Sequence, residues 1–269
     1  MRDVRRTRIL AVASGKGGVG KSNIALNLAI LLSAGGQRVA LIDADLALAN
    51  LDVLLDVGAP FNLSHVIAGR KRLGEILVDL PSGVQFVPGA SGLAQLAHLS
   101  EFERTRLLED LTQLEADNDV LIVDCGAGIG SDVLALTGAA DNAIVVTTPE
   151  PPAITDAYAL VKVLAQRDYA GSISLLVNFA ADRQEGRATH GRIAEVARQF
   201  LGVQVLDAGY VFADAKVREA VRRREPFVLA FPRCPASRCL AALANKLTPG
   251  GSLVAREEGF FRRLANWFA

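Results

Sequence analysis

The sequence predicts a single α/β domain built on a parallel sheet, and three observations carry that expectation. With 269 residues, 51% of them hydrophobic, the chain is long enough to bury one large core. Strand-length apolar runs alternate with segments whose apolar residues recur at helical spacing. Two of those runs end in aspartate, at Asp43 and Asp124, which places carboxylates at the C-terminal rim of a parallel sheet, where ligands bind.

Composition narrows the function classes. Lys plus Arg and Asp plus Glu both number 29, so no global charge draws the chain to nucleic acid or membrane, and any such attraction must be local. Cys125, Cys234 and Cys239 are too few and too unevenly placed for a disulfide framework, which suits a reducing cytosol. Neither a signal peptide nor a bilayer-spanning run is expected, because the basic start is followed by only a strand-length apolar stretch.

The elements are arranged around Gly15-Lys16-Gly17-Gly18-Val19-Gly20-Lys21-Ser22. This stretch follows an apolar strand, Ile9 to Ala13, and precedes a helix, Asn23 to Ala34, so strand, glycine loop and helix come in P-loop order. The spacing fits G-x-x-x-x-G-K-[ST], in which loop N–H groups and the helix N-terminus cradle phosphates. Lys21 is then expected on the β- and γ-phosphates, and the Ser22 hydroxyl on Mg²⁺.

Lys16 makes the loop more specific, since K-G-G-x-G-K-[ST] resembles the deviant Walker A of the MinD/ParA ATPases. The resemblance extends from Arg8 to about Leu247 and implies a single doubly wound, mainly parallel α/β sheet. It also implies Mg²⁺-dependent ATP hydrolysis, slow and partner-stimulated, in a nucleotide-sandwich homodimer. Lys16 would reach the phosphates of the partner subunit's ATP.

After a helix stop at Gly35-Gly36, Arg38 to Ile42 forms a second strand ending in Asp43-Ala44-Asp45. With Asn50-Leu51-Asp52, this resembles the family's switch I. Asp45 takes the water-orienting role that the resemblance implies, and Asp43 supports it or the metal shell; capping of the next turn is the alternative. A helix starts at Asn62, and Val84 to Val87 forms a strand. Glu101 to Leu114 is an amphipathic helix, and Val120 to Val123 is a buried strand delivering Asp124 in the Walker B manner, to hold Mg²⁺ directly or through water. Asp124-Cys125-Gly126-Ala127-Gly128-Ile129 resembles switch II, with Gly126 where many relatives have proline. Cys125 reads as a small buried residue.

Ala143 to Val146 is a strand, Thr147 to Pro152 a rigid proline corner, and Asp156 to Leu164 a helix capped by Thr155. Two stretches, Val87-Pro88-Gly89-Ala90-Ser91-Gly92 and Ala153-Ile154-Thr155-Asp156-Ala157-Tyr158, resemble the flagellar-number branch of the family, the FlhG/FleN (YlxH) type. Ile173 to Val177 is a strand ending at Asn178, which the resemblance makes the adenine-recognition residue. Phe179 follows it where many relatives carry a cation. Ala181 to Gly191 reads as a polar loop, His190 to Phe200 as a helix, and Gln204 to Tyr210 as a strand. Asp214, in a stretch that resembles the family's adenine-side loop, is a candidate contact to base or ribose. Val217 to Arg224 is a helix with four arginines, read as a solvated face rather than a DNA grip because Glu219 and Glu225 interrupt it. Cys234 and Cys239 have four residues between them, not the C-x-x-C of iron–sulfur carriers, and a helix runs from Ala236 to Leu247.

The expected organisation is an ATPase domain over 1–247, a linker over 248–259 and an amphipathic helix over 260–269. On a helical wheel Phe260, Phe261, Leu264, Trp267 and Phe268 share one arc with Ala265, while Arg262, Arg263 and Asn266 fill the other. This describes a helix lying in an anionic membrane interface; the same pattern suits docking on the domain, and the Pro-Gly-Gly linker favours the membrane. Two copies on an ATP-held dimer would bind with far higher avidity than one. The reading is therefore an ATP-controlled dimerisation and membrane switch acting on flagellar placement or number, cytoplasmic and reversibly peripheral at the inner face of the cell membrane.

The alternatives are a DNA-partition ATPase, a division-site ATPase and, less favoured, an iron–sulfur carrier. Flagellar basal-body proteins or an FlhF-type GTPase are the protein partners the resemblance implies. GTPase activation in such relatives uses an N-terminal extension with a glutamine-containing motif, and only Met1 to Thr7 precede the first strand here.

Overall fold

The first strand shows how the core is divided. In β1 (Arg8–Ser14), Ile9, Ala11 and Ala13 pack into one hydrophobic cluster while Leu10 and Val12 pack into a second on the opposite face. A strand buried on both faces belongs in a parallel sheet covered by helices on both sides. The computed structural model describes residues 6–45, 51–55, 57–89, 101–247 and 258–267.

Seven further strands join β1: β2 (Val39–Ala44), β3 (Val78–Asp79), β4 (Val84–Val87), β5 (Val120–Ala127), β6 (Asn142–Thr147), β7 (Ser172–Ala180) and β8 (Val205–Phe212). They form one sheet in the order β3-β4-β2-β5-β1-β6-β7-β8. Every pairing is parallel except that of the two-residue edge strand β3 with β4. This is the doubly wound, mainly parallel sheet that the sequence leads one to expect. One face carries α3 (Leu63–Ile67), α4 (Leu73–Ile76), α5 (Glu101–Asp117), α6 (Ser131–Ala139), α7 (Pro151–Gln166) and α8 (Arg183–Leu201). The other carries α1 (Lys21–Ala34), α2 (Leu51–Leu55), α9 (Ala215–Arg222), α10 (Phe227–Ala230) and α11 (Pro235–Lys246).

Three helices depart from the expectation. The proline corner is itself the start of α7: Pro151 and Pro152 occupy its first positions, where a missing N–H costs nothing, and Thr155 is inside the helix, donating to the Pro151 carbonyl at 3.1 Å. The polar stretch Ala181 to Gly191 is mostly the first half of α8, capped by Asp182, whose carboxylate accepts from the Glu185 N–H at 2.8 Å. Its polarity reflects an exposed helical face rather than a loop. The helix α6 has no apolar period for a sequence pattern to reveal, because six of its nine residues are buried.

The tail also differs from the expectation of a helix free to enter a membrane. The helix α12 (Phe260–Trp267) is docked on the domain, and Phe260, Phe261 and Leu264 are fully buried in the cluster that contains residues of α5 and α6. Trp267 lies so close over α6 that a Cβ on Gly138 would meet its ring at 2.8 Å. Arg263, expected on the polar arc, points inward. Its guanidinium donates to the Ala139 carbonyl at 2.6 Å and to Asp141 Oδ1 at 2.9 Å, with both ion-pair side chains buried. The reason is electrostatic: Asp141, sunk between α6 and β6, requires a cation beside it, and Arg263 supplies one. Glu115 of α5 accepts from the Phe260 N–H at 3.1 Å, placing a carboxylate at the positive end of α12. Phe268 and the Pro-Gly-Gly stretch lie outside the described residues.

Replacing Asp182 with alanine is expected to cost about 1 kcal/mol of stability through loss of the α8 cap. A urea midpoint unchanged from the parent would show that the cap contributes nothing.

Candidate nucleotide site

Sheet order assembles the site. Strands β2, β5 and β1 are neighbours, and in their parallel register Asp43 lies opposite Asp124, which pairs in turn with Val12. Two carboxylates therefore emerge next to the loop that leaves β1. That loop turns back into α1 through Gly20, which has φ +85°, a conformation that favours glycine. A side chain at Gly20 would also strike Asn178 Nδ2, 2.4 Å from the Cβ position. Gly15 is required for a different reason: a Cβ there would lie 2.1 Å from the Asp156 carbonyl oxygen of α7.

Lys21, at the start of α1, is almost fully buried, and its ammonium donates to Asp124 Oδ1 at 2.8 Å. Asp45 Oδ2 stands 3.9 Å from the same nitrogen, and the Ser22 hydroxyl lies 3.4 Å away. The lysine that the motif assigns to phosphates is thus held among the carboxylates expected to serve water and metal. Burial raises the Asp124 pKa above the ordinary carboxylate value, against Lys21 and the Ser22 hydroxyl, which favour the ionised form. Asp43 is pushed up to about 7, first by burial and then by the negative charge of Asp124. Its oxygens accept from the Asp45 N–H at 3.3 Å and the Leu51 N–H at 3.4 Å, so it braces the start of the segment expected to be switch I. Asn50 of that segment lies outside the described residues. Cys125 is fully buried in the core, and burial pushes its thiol pKa up.

Among the described residues no cluster of three or more His, Cys, Asp or Glu side chains is placed to hold a metal alone. Mg²⁺ does not need one, because it uses one or two carboxylates together with water and phosphate oxygens. The donor set fits that mode: Asp124 Oδ2 is buried with no hydrogen-bond partner, and Ser22 stands beside Lys21. Asp124 and Ser22 would hold the ion, which would supply charge neutralisation at the phosphates.

The remaining candidates are placed as follows. Lys16 is half-exposed, with Glu150 Oε2 3.7 Å away. Asn178 is buried and donates from Nδ2 to the Val19 carbonyl at 2.8 Å, tying the end of β7 to the loop. Asp214 caps α9 through the Lys216 N–H at 2.9 Å and accepts from the Ala236 N–H of α11 at 3.3 Å. Burial opposes its ionisation, yet these hydrogen bonds hold its pKa below the ordinary value.

Beside the loop lies a cavity of about 280 Å³, lined by Asn178, Phe179, Phe212, Arg218, Arg222 and other residues. Arg218 and Arg222 are exposed, as expected of a solvated face, and their i, i+4 spacing brings both to the side of α9 that borders this cavity.

Comparison with known proteins agrees with this geometry. Residues 10–227 match the family model described as the CobQ/CobB/MinD/ParA nucleotide binding domain. The chain belongs to that family, and it is an ATP hydrolase. It is 40% identical to the antiactivator FleN of Pseudomonas aeruginosa over 92% of this chain and 88% of that protein. With the flagellum site-determining protein YlxH of Helicobacter pylori, identity is 35% over 97% of this chain and 90% of that one. The septum site-determining protein MinD of Pyrococcus horikoshii, solved with Mg-ADP, shares the fold with a TM-score of 0.72 at 24% identity, over 90% of this chain and 96% of that chain.

The raised Asp43 carboxyl has a signed consequence. Between about 4, near its ordinary value of 3.8, and about 7, folded Asp43 keeps a proton that the unfolded chain has released. Its contribution to the stability of the nucleotide-free protein therefore falls as pH rises through that window, by up to about 1.4 kcal/mol per unit, and is level above it. Asp43→Asn is expected to remove this slope, measured as the pH dependence of the urea midpoint from pH 4.5 to 7.5; parallel profiles for parent and variant would exclude it.

Proposed function

We propose that the chain is an ATP-controlled dimerisation and membrane-association switch that regulates flagellar placement or number. The observation that carries the switch is the docked tail. An aromatic amphipathic helix is buried on the domain, where the Arg263–Asp141 ion pair and the capping Glu115 carboxylate help to seat it, so a membrane and the domain compete for the same apolar face. The flagellar assignment is supported by the similarity to FleN and YlxH, whose names describe an antiactivator and a flagellum site-determining protein. No helix among the described residues is long and apolar enough to cross a membrane.

Tail and nucleotide act at opposite ends of β1. The loop leaves its C-terminal end, whereas Asp141, which holds Arg263, accepts from the Ile9 N–H at its start. About 20 Å of strand separates them, so direct displacement of the tail by nucleotide is not required. In this reading Lys16 joins two subunits across their ATP, and two tails presented together tip the competition towards the membrane by avidity. Asp45, beside Lys21 at the loop, orients the attacking water, and hydrolysis separates the subunits and returns each tail to its own domain.

Two measurements test the reading. The full chain should co-sediment with anionic liposomes in ATP and stay soluble in ADP, while Arg263→Ala, with its docking weakened, should sediment in both. Equal sedimentation of the parent in both nucleotides, or an Arg263→Ala protein that behaves like the parent, would sink the tail switch; circular dichroism confirms that the variant is folded. Asp45→Ala should accumulate an ATP-bound dimer by light scattering and lose at least about tenfold in turnover, and a parent-like rate would remove Asp45 from the water-orienting role.

A further inference from the structure

Phe179 is placed at the cost of two unfavourable features. Its φ is +58°, in the left-handed region that a bulky side chain rarely adopts, and it interrupts the β7–β8 register between Val177 and Ala180. The residue is also 42% exposed, although Asn178 and Ala180 on either side are buried. Such backbone strain persists where the surroundings enforce it, and it concentrates at ligand sites. Here the strained residue turns its ring towards the phosphate loop: a Cβ on Gly20 would stand 3.4 Å from the ring's Cζ.

The ring forms one wall of the cavity beside the loop, where Phe212, Arg218 and Arg222 also stand. Phe212 is supported from behind by Tyr210, with ring centroids 5.2 Å apart. A cavity with aromatic walls, adjoining a phosphate cradle, suits a flat π-system attached to those phosphates.

We propose that Phe179 is the stacking platform for the purine ring of the bound nucleotide, and that it sets the preference for purine over pyrimidine nucleotides. This rests on the proposed reading of the chain as an ATP-controlled switch, and places the base of that nucleotide in the cavity beside the loop. Stacking on an exposed ring strengthens with the area of the base, so the larger bicyclic ring is favoured without hydrogen-bond readout. Asn178 then works from behind the loop by holding the Val19 carbonyl, and the ring supplies the contact surface.

The test is calorimetric titration of the full chain with ATP, CTP and inorganic tripolyphosphate. The parent should bind ATP more tightly than CTP, and both more tightly than tripolyphosphate. Phe179→Ala should weaken ATP at least about tenfold, narrow the gap between ATP and CTP, and leave tripolyphosphate unchanged, while Phe179→Trp should retain the parent's order. Phe179→Ala binding ATP as the parent does would overturn the proposal, as would an equal loss for ATP and tripolyphosphate, which would mark the ring as a support of the loop. Unchanged ATP affinity with a lost ATP-dependent dimer would assign the ring to the subunit interface instead. A parent that binds tripolyphosphate as tightly as ATP would overturn the base reading of the cavity, and one that binds none of the three would overturn the phosphate reading of the loop.

Discussion

The buried pair between Lys21 and Asp124 is the constraint on which the rest of the site depends. An ammonium and a carboxylate sealed at the end of a parallel sheet must each have a partner, because an isolated buried charge costs several kcal/mol. In this structure they serve each other. In the proposed reading, phosphate oxygens would offer Lys21 a second anion and a metal ion would offer Asp124 a second cation, so binding would exchange one set of paired charges for another. Asp45 and Asp43 sit within the same field, and the raised pKa of Asp43 is one expression of how crowded with negative charge that rim is.

That crowding follows from topology. Strands β2 and β5 are far apart in sequence, yet lie side by side with β1 next to them, so carboxylates at two strand ends meet one loop. The glycine positions answer the same geometry: one lets the chain turn into α1, and another lets the backbone of α7 pass against the loop. The order of strands thus creates the chemistry, and the loop residues accommodate it.

The sheet, the phosphate loop and the aspartates were legible because each leaves a local mark: an apolar run, a fixed spacing, or an acid at the end of a strand. What escaped depends on long-range partners or lacks a period. Arg263 falls on the polar side of a helical wheel, and nothing near it in sequence discloses Asp141 as its counter-ion. The bonds that Asp214 accepts from backbone N–H groups of α9 and α11 join two helices that only the fold brings together. The helix α6 is hidden by uniform burial, and the start of α7 by prolines that punctuate chains more often than they open helices. The left-handed backbone of Phe179 leaves no mark in the sequence.

The Asp141 carboxylate is divided between two masters: one oxygen receives the Ile9 amide of the central strand, the other the arginine of the tail. Genetic variation at position 141 therefore merges two phenotypes, a loosened sheet and a loosened tail, whereas variation at Arg263 leaves the strand's amide its acceptor. The same sharing makes the Ile9 amide a native reporter, since its solvent protection should register whether the tail is seated without any label being attached.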